Sequence, residues 1–207
     1  MNKIISLFRF LVYYYRFRKR NRHNNVRPAN FIPSPNVTVG HHTYGDLHVV
    51  WLAPLSTKLV IGNYCSLGPD VKFLVGGDHN YHRISTWPFQ SLVYHQPTLG
   101  NEKNRDIVVE DDVWIGMESL IMSGVRIGKG SVIGARSIVT NVVPPYSVFV
   151  GTKVVRKRFP DTIINKIKDI DFNTIEHTQD DDYAAFCKTE VTEDNVDEVL
   201  SKFNRWK

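Results

Sequence analysis

The chain has 207 residues, 42% of them apolar, and carries 26 Lys and Arg against 21 Asp and Glu for a formal charge of +5. This is enough for one domain with a buried core, while two cysteines, Cys65 and Cys187, exclude a disulfide framework and point with the lack of a secretory cleavage pattern to a reducing cytoplasm. The charge does not name a partner because it is split: eight Lys or Arg fall in the first 27 residues, no acid precedes Asp46, and the C-terminal end is acidic from Asp180 to Asp182 and Glu190 to Glu198.

Taken in chain order, Ile4, Leu7, Phe8, Leu11 and Tyr15 share one helical face, with Arg9, Arg16 and Lys19 elsewhere on the surface and a basic run from Arg16 to Arg22. This predicts a basic amphipathic helix within residues 1–27. Arg9 interrupts the apolar stretch, which is far short of the roughly 20 residues a spanning helix needs. The helix is therefore expected either to pack on its own oligomer or to lie as a peripheral element on the anionic inner membrane face. Basic residues without a groove-reading motif do not make a nucleic-acid site, and none is expected. Pro28, Pro33 and Pro35 mark a linker into irregular first coils around Val37 to Gly45.

Beyond the linker the apolar residues fall into a period of six. Ile61, Leu67 and Phe73 form a first block, with Leu59, Cys65 and Val71 two residues before each. Val109, Ile115, Ile121, Ile127, Ile133 and Val139 form a second, preceded in the same way by Ile107, Val113, Ser119, Val125, Ser131 and Ser137. Six fits neither the 3.6 of a helix nor the plain alternation of an isolated strand. Glycines following several of the aliphatics, together with the β-branched residues, suit short strands joined by tight turns. Cys65 occupies the small inward position of the repeat and reads as packing rather than as a nucleophile. Gly128-Lys129-Gly130 lacks the spacing of a phosphate loop and fits the repeat instead. Towards the C-terminus, Asp161 or Thr162 is a candidate cap for a helix bearing Ile163, Ile164, Ile167 and Ile170, and Thr192 for one bearing Val196, Val199, Leu200 and Phe203.

At least nine such hexapeptides in two blocks resemble the hexapeptide-repeat acyltransferases. The resemblance covers roughly residues 37 to 172 and implies an all-β fold: a left-handed parallel β-helix with a long inserted loop, flanked by the N-terminal helix and by C-terminal helices. The implied domains are the β-helix over 37–152, with the loop at 75–106, and a C-terminal extension over 153–207. The left-handed winding departs from the right-handed rule for parallel strands and comes from the family alone.

About thirty residues between Phe73 and Ile107 lose the repeat, and a long excursion from a regular solenoid is more often functional than idle. It contains Gly76-Gly77-Asp78-His79-Asn80-Tyr81-His82 and then Ser85-Thr86-Trp87-Pro88-Phe89. This resembles the loop of the xenobiotic (streptogramin and chloramphenicol) acetyltransferase branch, which includes sugar O-acetyltransferases, and places the branch's catalytic His on His79. An imidazole is partly neutral near pH 7 and can accept the proton of an attacking hydroxyl unaided. Tyr64, Asp78, Tyr81, His82 and Trp87 are candidates for orienting the base or lining the acceptor pocket. His79 and His82 lack a third ligand at convincing spacing, so no metal is expected.

The wider family implies acetyl-CoA as acyl donor, lying between two subunits of a homotrimer, with contacts falling near Met117, Ala135, Thr140 and Asn141 and with Lys153 at the basic position. Gly151-Thr152-Lys153 is two residues shorter than the family's usual turn, and Asn141 stands where Lys is common. The expected activity is acetyl-CoA-dependent O-acetylation of a sugar or surface-polysaccharide precursor by direct transfer. The alternatives are an antibiotic-modifying acetyltransferase and, from another class, a non-catalytic trimeric β-helix scaffold.

Overall fold

Partners across adjacent strands are eighteen residues apart: Val108 lies beside Arg126, Trp114 beside Val132 and Leu120 beside Ile138, all in parallel register. Three hexapeptides therefore complete one coil, and the next coil stacks on it with every sixth side chain in register. A computed structural model describes residues 2–32, 34–53, 56–77, 79, 81–95, 105–174 and 187–204. It divides into two compact units, residues 1–156 and 157–207.

The first unit is a parallel β-helix with three faces. One face stacks β2 (Val37–Val39), β4 (Leu59–Ile61), β7 (Ile107–Val109) and β10 (Arg126–Ile127), in the order β10-β7-β4-β2. The second holds β1 (Asn25–Pro28), β5 (Ser66–Leu67), β8 (Trp114–Ile115), β11 (Val132–Ile133) and β13 (Ser147–Val150), and the third holds β6 (Lys72–Gly76), β9 (Leu120–Ile121) and β12 (Ile138–Val139). The long strand β3 (Tyr44–Leu52) serves both, pairing β1 and β5 with its first half and β6 with its second. β14 (Lys153–Lys157) follows beside β13. Parallel pairing starts at Asn25, so the proline stretch interrupts coils that have already begun.

The hexad aliphatics build the core. Ile61, Leu67, Phe73, Val109, Ile115, Ile121, Ile127, Ile133 and Val139 are all buried, each contributing about 1.5–3 kcal/mol of apolar burial. The smaller inward position is buried too, and where it is polar its hydroxyl is satisfied: Ser119 and Ser137 donate to the Gly134 carbonyl at 3.1 and 2.6 Å, and Ser131 to that of Pro144 at 2.9 Å. The corners have a period of their own. Asp112, Glu118, Gly124, Gly130 and Arg136, every sixth residue, take left-handed backbone with φ of 57, 58, 83, 68 and 58°. Glycine holds only two of these five places.

The helix α1 (Asn2–Arg20) is fastened to the column by a side that the sequence pattern does not single out. Phe17 is buried and Tyr13 packs against the core of the first coils, with Phe10 and Tyr13 against Phe31 at ring separations of 5.5 and 5.0 Å. The Tyr13 hydroxyl accepts from the Ile32 N–H at 3.1 Å, and the Arg18 guanidinium donates to the carbonyls of Asn24 and Val26, each at 2.7 Å. Leu7, Phe8, Leu11 and Tyr15, the face read as meeting its own oligomer or a membrane, are exposed on the chain. Tyr13 suits the fastened side because its ring packs on the core while its hydroxyl keeps a hydrogen bond.

The second unit contains α3 (Asp161–Ile167), a 3-10 turn at Phe172–Thr174 and α4 (Val196–Phe203). Among its described residues Ile163, Val196 and Phe203 are buried, and Phe172 meets Phe203 edge to face at 6.1 Å. Pro160 and Asn195 stand at the N-caps, where no side-chain cap bond is made. Neither Asp161, Thr162 nor Thr192 takes that role. Asp161 pairs with Lys157 and Thr162 donates to Glu193, while the Thr192 carbonyl accepts the Val196 N–H at 3.1 Å.

Candidate active site

The excursion shows in the register as a long step. Ser66 pairs with Trp114, forty-eight residues on instead of eighteen, so thirty residues leave the coil between β6 and β7. They leave at Gly76, where φ is +80° and any Cβ would lie 2.7 Å from Ala53, so both backbone and space demand glycine. They return at Arg105. The Ser123 hydroxyl, one coil further on, holds both stems: it accepts the Gly76 N–H at 3.2 Å and donates to the Arg105 carbonyl at 3.0 Å. The Gly124 N–H adds a second bond to the same carbonyl at 3.1 Å. At the far stem the Asp106 carboxylate accepts from the Lys58 N–H at 2.8 Å.

Within the loop, His79 Nδ1 lies 2.7 Å from the backbone carbonyl of Thr86. A carbonyl only accepts, so Nδ1 carries the hydrogen and, in the neutral ring, Nε2 presents its lone pair. The Ser-Thr-Trp-Pro-Phe run makes that carbonyl available. The Trp87 N–H bonds to Ser85 Oγ at 3.1 Å, Trp87 packs edge-on to Phe89 at 4.6 Å, and Pro88 opens the short helix α2 (Phe89–Leu92). His79 is exposed, as are Tyr81, His82 and Trp87. The His82 ring lies against Tyr81 at 4.3 Å, and Tyr64 sits at a corner with φ 57°, stacked on His42 at 4.8 Å. Asp78 lies outside the described residues. Among those described, no three His, Cys, Asp or Glu gather to hold a metal ion.

The positions implied for the acyl donor fall on two corners that bound the third face. Met117 and Ala135 lie on one corner in successive coils, linked by the Arg136 N–H donating to the Met117 carbonyl at 2.8 Å, and both are exposed. Thr140 and Asn141 form the other, with Asn141 Nδ2 donating to Thr140 Oγ1 at 3.3 Å. Because Phe73 is stacked on Ile121 and Ile121 on Val139, the loop springs from the corner that carries Thr140 and Asn141 two coils on. Lys153 opens β14 and is exposed. Two other sequence readings also meet the structure here. Cys65 is fully buried with its thiol donating to the Glu110 carbonyl at 3.1 Å, and burial above all pushes its pKa up to about 12, which leaves it inert at neutral pH. Gly128-Lys129-Gly130 forms a coil corner, with the Tyr146 N–H bonded to the Lys129 carbonyl at 2.8 Å.

Sequence reasoning missed the Thr86 carbonyl and the Ser123 hydroxyl. The first is backbone and carries no residue-type signal. The second is one serine among several in the repeat, and only the two stems meeting at it distinguish it.

A family description, bacterial transferase hexapeptide (six repeats), matches residues 106–141. A chloramphenicol acetyltransferase of Agrobacterium fabrum is 38% identical over 153 residues, 64% of this chain and 73% of that protein. A galactoside O-acetyltransferase of Lactococcus lactis is 33% identical over 161 residues, 76% of this chain and 66% of that one. A solved hexapeptide-repeat acetyltransferase of Vibrio cholerae is 29% identical, covering 65% of this chain and 70% of its own with a TM-score of 0.47. With the aliphatic ladder buried as the repeat requires and a relative of this identity matched over most of its length, the chain belongs to the hexapeptide-repeat acetyltransferases, in the branch of the chloramphenicol and galactoside enzymes.

Proposed function

We propose that this chain transfers the acetyl group of acetyl-CoA to a hydroxyl of a sugar or surface-polysaccharide precursor, with His79 as general base. The observation that carries the reading is the 2.7 Å contact of His79 Nδ1 with the Thr86 carbonyl, which leaves Nε2 as the basic atom. His79 takes the acceptor's hydroxyl proton on Nε2 as the oxygen bonds to the acetyl carbon. The carbon–sulfur bond then breaks, and the imidazolium returns its proton to the departing thiolate. Thr86 holds the ring throughout and disperses the positive charge through its carbonyl dipole.

The exposed Met117–Ala135 and Thr140–Asn141 corners would line the pantetheine, and Lys153 would meet the phosphates. Exposed apolar residues on the outer faces, Trp114 and Ile138 among them, suit side-by-side packing of three left-handed columns, with each site shared between neighbours and in the cytoplasm. Tyr81, His82 and Trp87 share the loop with His79 and would face the acceptor. The identity of 38% to a chloramphenicol acetyltransferase favours a second acceptor class, hydroxylated antibiotics.

Thiol release from acetyl-CoA across sugars, glycolipids and antibiotics, comparing wild type with His79→Ala and His82→Ala, decides among these. His79→Ala is expected to lose about 10²- to 10⁴-fold in turnover. Full turnover in His79→Ala, with loss in His82→Ala, overturns the assignment of the base. No melting shift with saturating coenzyme A would instead support a scaffold without catalysis.

A further inference from the structure

Helix α1 has one side fastened to the column and another that, among the described residues, stays exposed. Tyr13, Phe17 and the Arg18 guanidinium fasten it to the first coil. On another side Leu7, Phe8, Leu11 and Tyr15 are 60, 67, 56 and 68% exposed. At 100° per residue they occupy an arc of about 100°, which also contains Arg18, whose guanidinium turns back to the Asn24 and Val26 carbonyls. Arg16, Lys19, Arg9 and Arg20 follow round the cylinder along one border of that arc, and no carboxylate occurs in the chain before Asp46. The anchoring contacts hold the exposed arc in a fixed orientation on the column. Large apolar side chains displayed contiguously mark a contact surface.

Charge selects the occupant. A second copy meeting this face symmetrically would bring cations against cations with no acid to offset them. An anionic lipid surface satisfies both halves: the apolar arc enters the headgroup–acyl boundary, Phe8 and Tyr15 sit at that level, and the long basic side chains reach the phosphates. We propose that α1 lies in the plane of an anionic bilayer with Leu7, Phe8, Leu11 and Tyr15 immersed and Arg9, Arg16, Lys19 and Arg20 on the headgroups. The proposal is independent of the acceptor and of the catalytic assignment.

Full-length protein is floated with vesicles of phosphatidylcholine alone and of phosphatidylcholine with phosphatidylglycerol. Binding is expected only to the anionic vesicles, falling with added salt. Phe8→Glu with Leu11→Glu should reduce it more than tenfold, and Arg16→Gln with Lys19→Gln by roughly fivefold per charge. These side chains are exposed, so melting temperatures should be unchanged; Phe8→Ser replaces the double variant if it misfolds. Absence of wild-type binding at low salt, equal binding to neutral vesicles, or binding that survives Phe8→Glu with Leu11→Glu overturns the proposal. Loss of self-association in that variant, without vesicle binding by wild type, assigns the face to contacts between copies.

Discussion

Ser123→Ala separates holding the loop from building the column. The substitution removes one hydroxyl that accepts the Gly76 N–H and donates to the Arg105 carbonyl. That carbonyl keeps the Gly124 N–H, so the loss falls mainly on Gly76, whose partly buried N–H loses its side-chain acceptor. A missing bond of this kind costs about 1–2 kcal/mol, which in a chain of this size lowers the melting temperature by roughly 2–8 °C. The column itself, with Ile121 and Val139 still stacked, should stay folded. His79 is three residues beyond Gly76, and displacement of a reacting group by about 1 Å can cost on the order of 10²-fold. The expected result is a modest drop in melting temperature with kcat reduced at least tenfold and KM for acetyl-CoA little changed, measured by thiol release well below the transition. If melting falls and kcat does not, the two stems are not what positions the base, and the reasoning fails.

The column and its corners can be probed in the same way. Ile121→Ala should cost about 2–5 kcal/mol by opening a cavity in the stacked core, seen as a lower urea midpoint; a loss below about 1 kcal/mol would mean the ladder relaxes around the gap. Gly116→Ala sets a Cβ 2.6 Å from the Ala135 backbone nitrogen, so coil spacing at the Met117–Ala135 corner must give. About 1–3 kcal/mol of destabilisation and weaker coenzyme A binding by calorimetry are expected, and unchanged binding would move the donor away from this corner. Iodoacetamide at neutral pH should label exposed Cys187 and spare buried Cys65, giving one adduct by mass when native and two when unfolded. The folded Cys65 thiol is raised from 9.0 to about 12. Its contribution to stability is therefore full below pH 9 and declines as pH climbs from 9 towards 12, which denaturant midpoints across that range would report.

The column was legible because its signal is repetitive and apolar. Every hexad aliphatic from Ile61 to Val139 is buried, and even Cys65 sits where the small inward position put it. The corners were not legible, since Asp112, Glu118 and Arg136 adopt left-handed backbone that is imposed by coil geometry and not advertised by residue type. The N-terminal helix was recognisable as amphipathic, but the side that fastens it to the column was not: hydropathy ranks Leu7 and Leu11 above Tyr13, and the bonds made by Tyr13 and Arg18 carry no periodic signal. In the loop, His79 stood out by its neighbours, but the carbonyl that orients it and the serine that ties down its stems are properties of three-dimensional closure.

The bonds made by Arg18 bear on assembly. Among the described residues β1 pairs with β3 alone, and the Asn24 and Val26 carbonyls on its other edge are the acceptors that a further strand would seek. A solenoid cut open at such an edge is a template for end-to-end growth into fibres. By occupying those acceptors with a guanidinium, the chain terminates its own ladder, and a shortened form beginning after residue 20 would expose a sticky end.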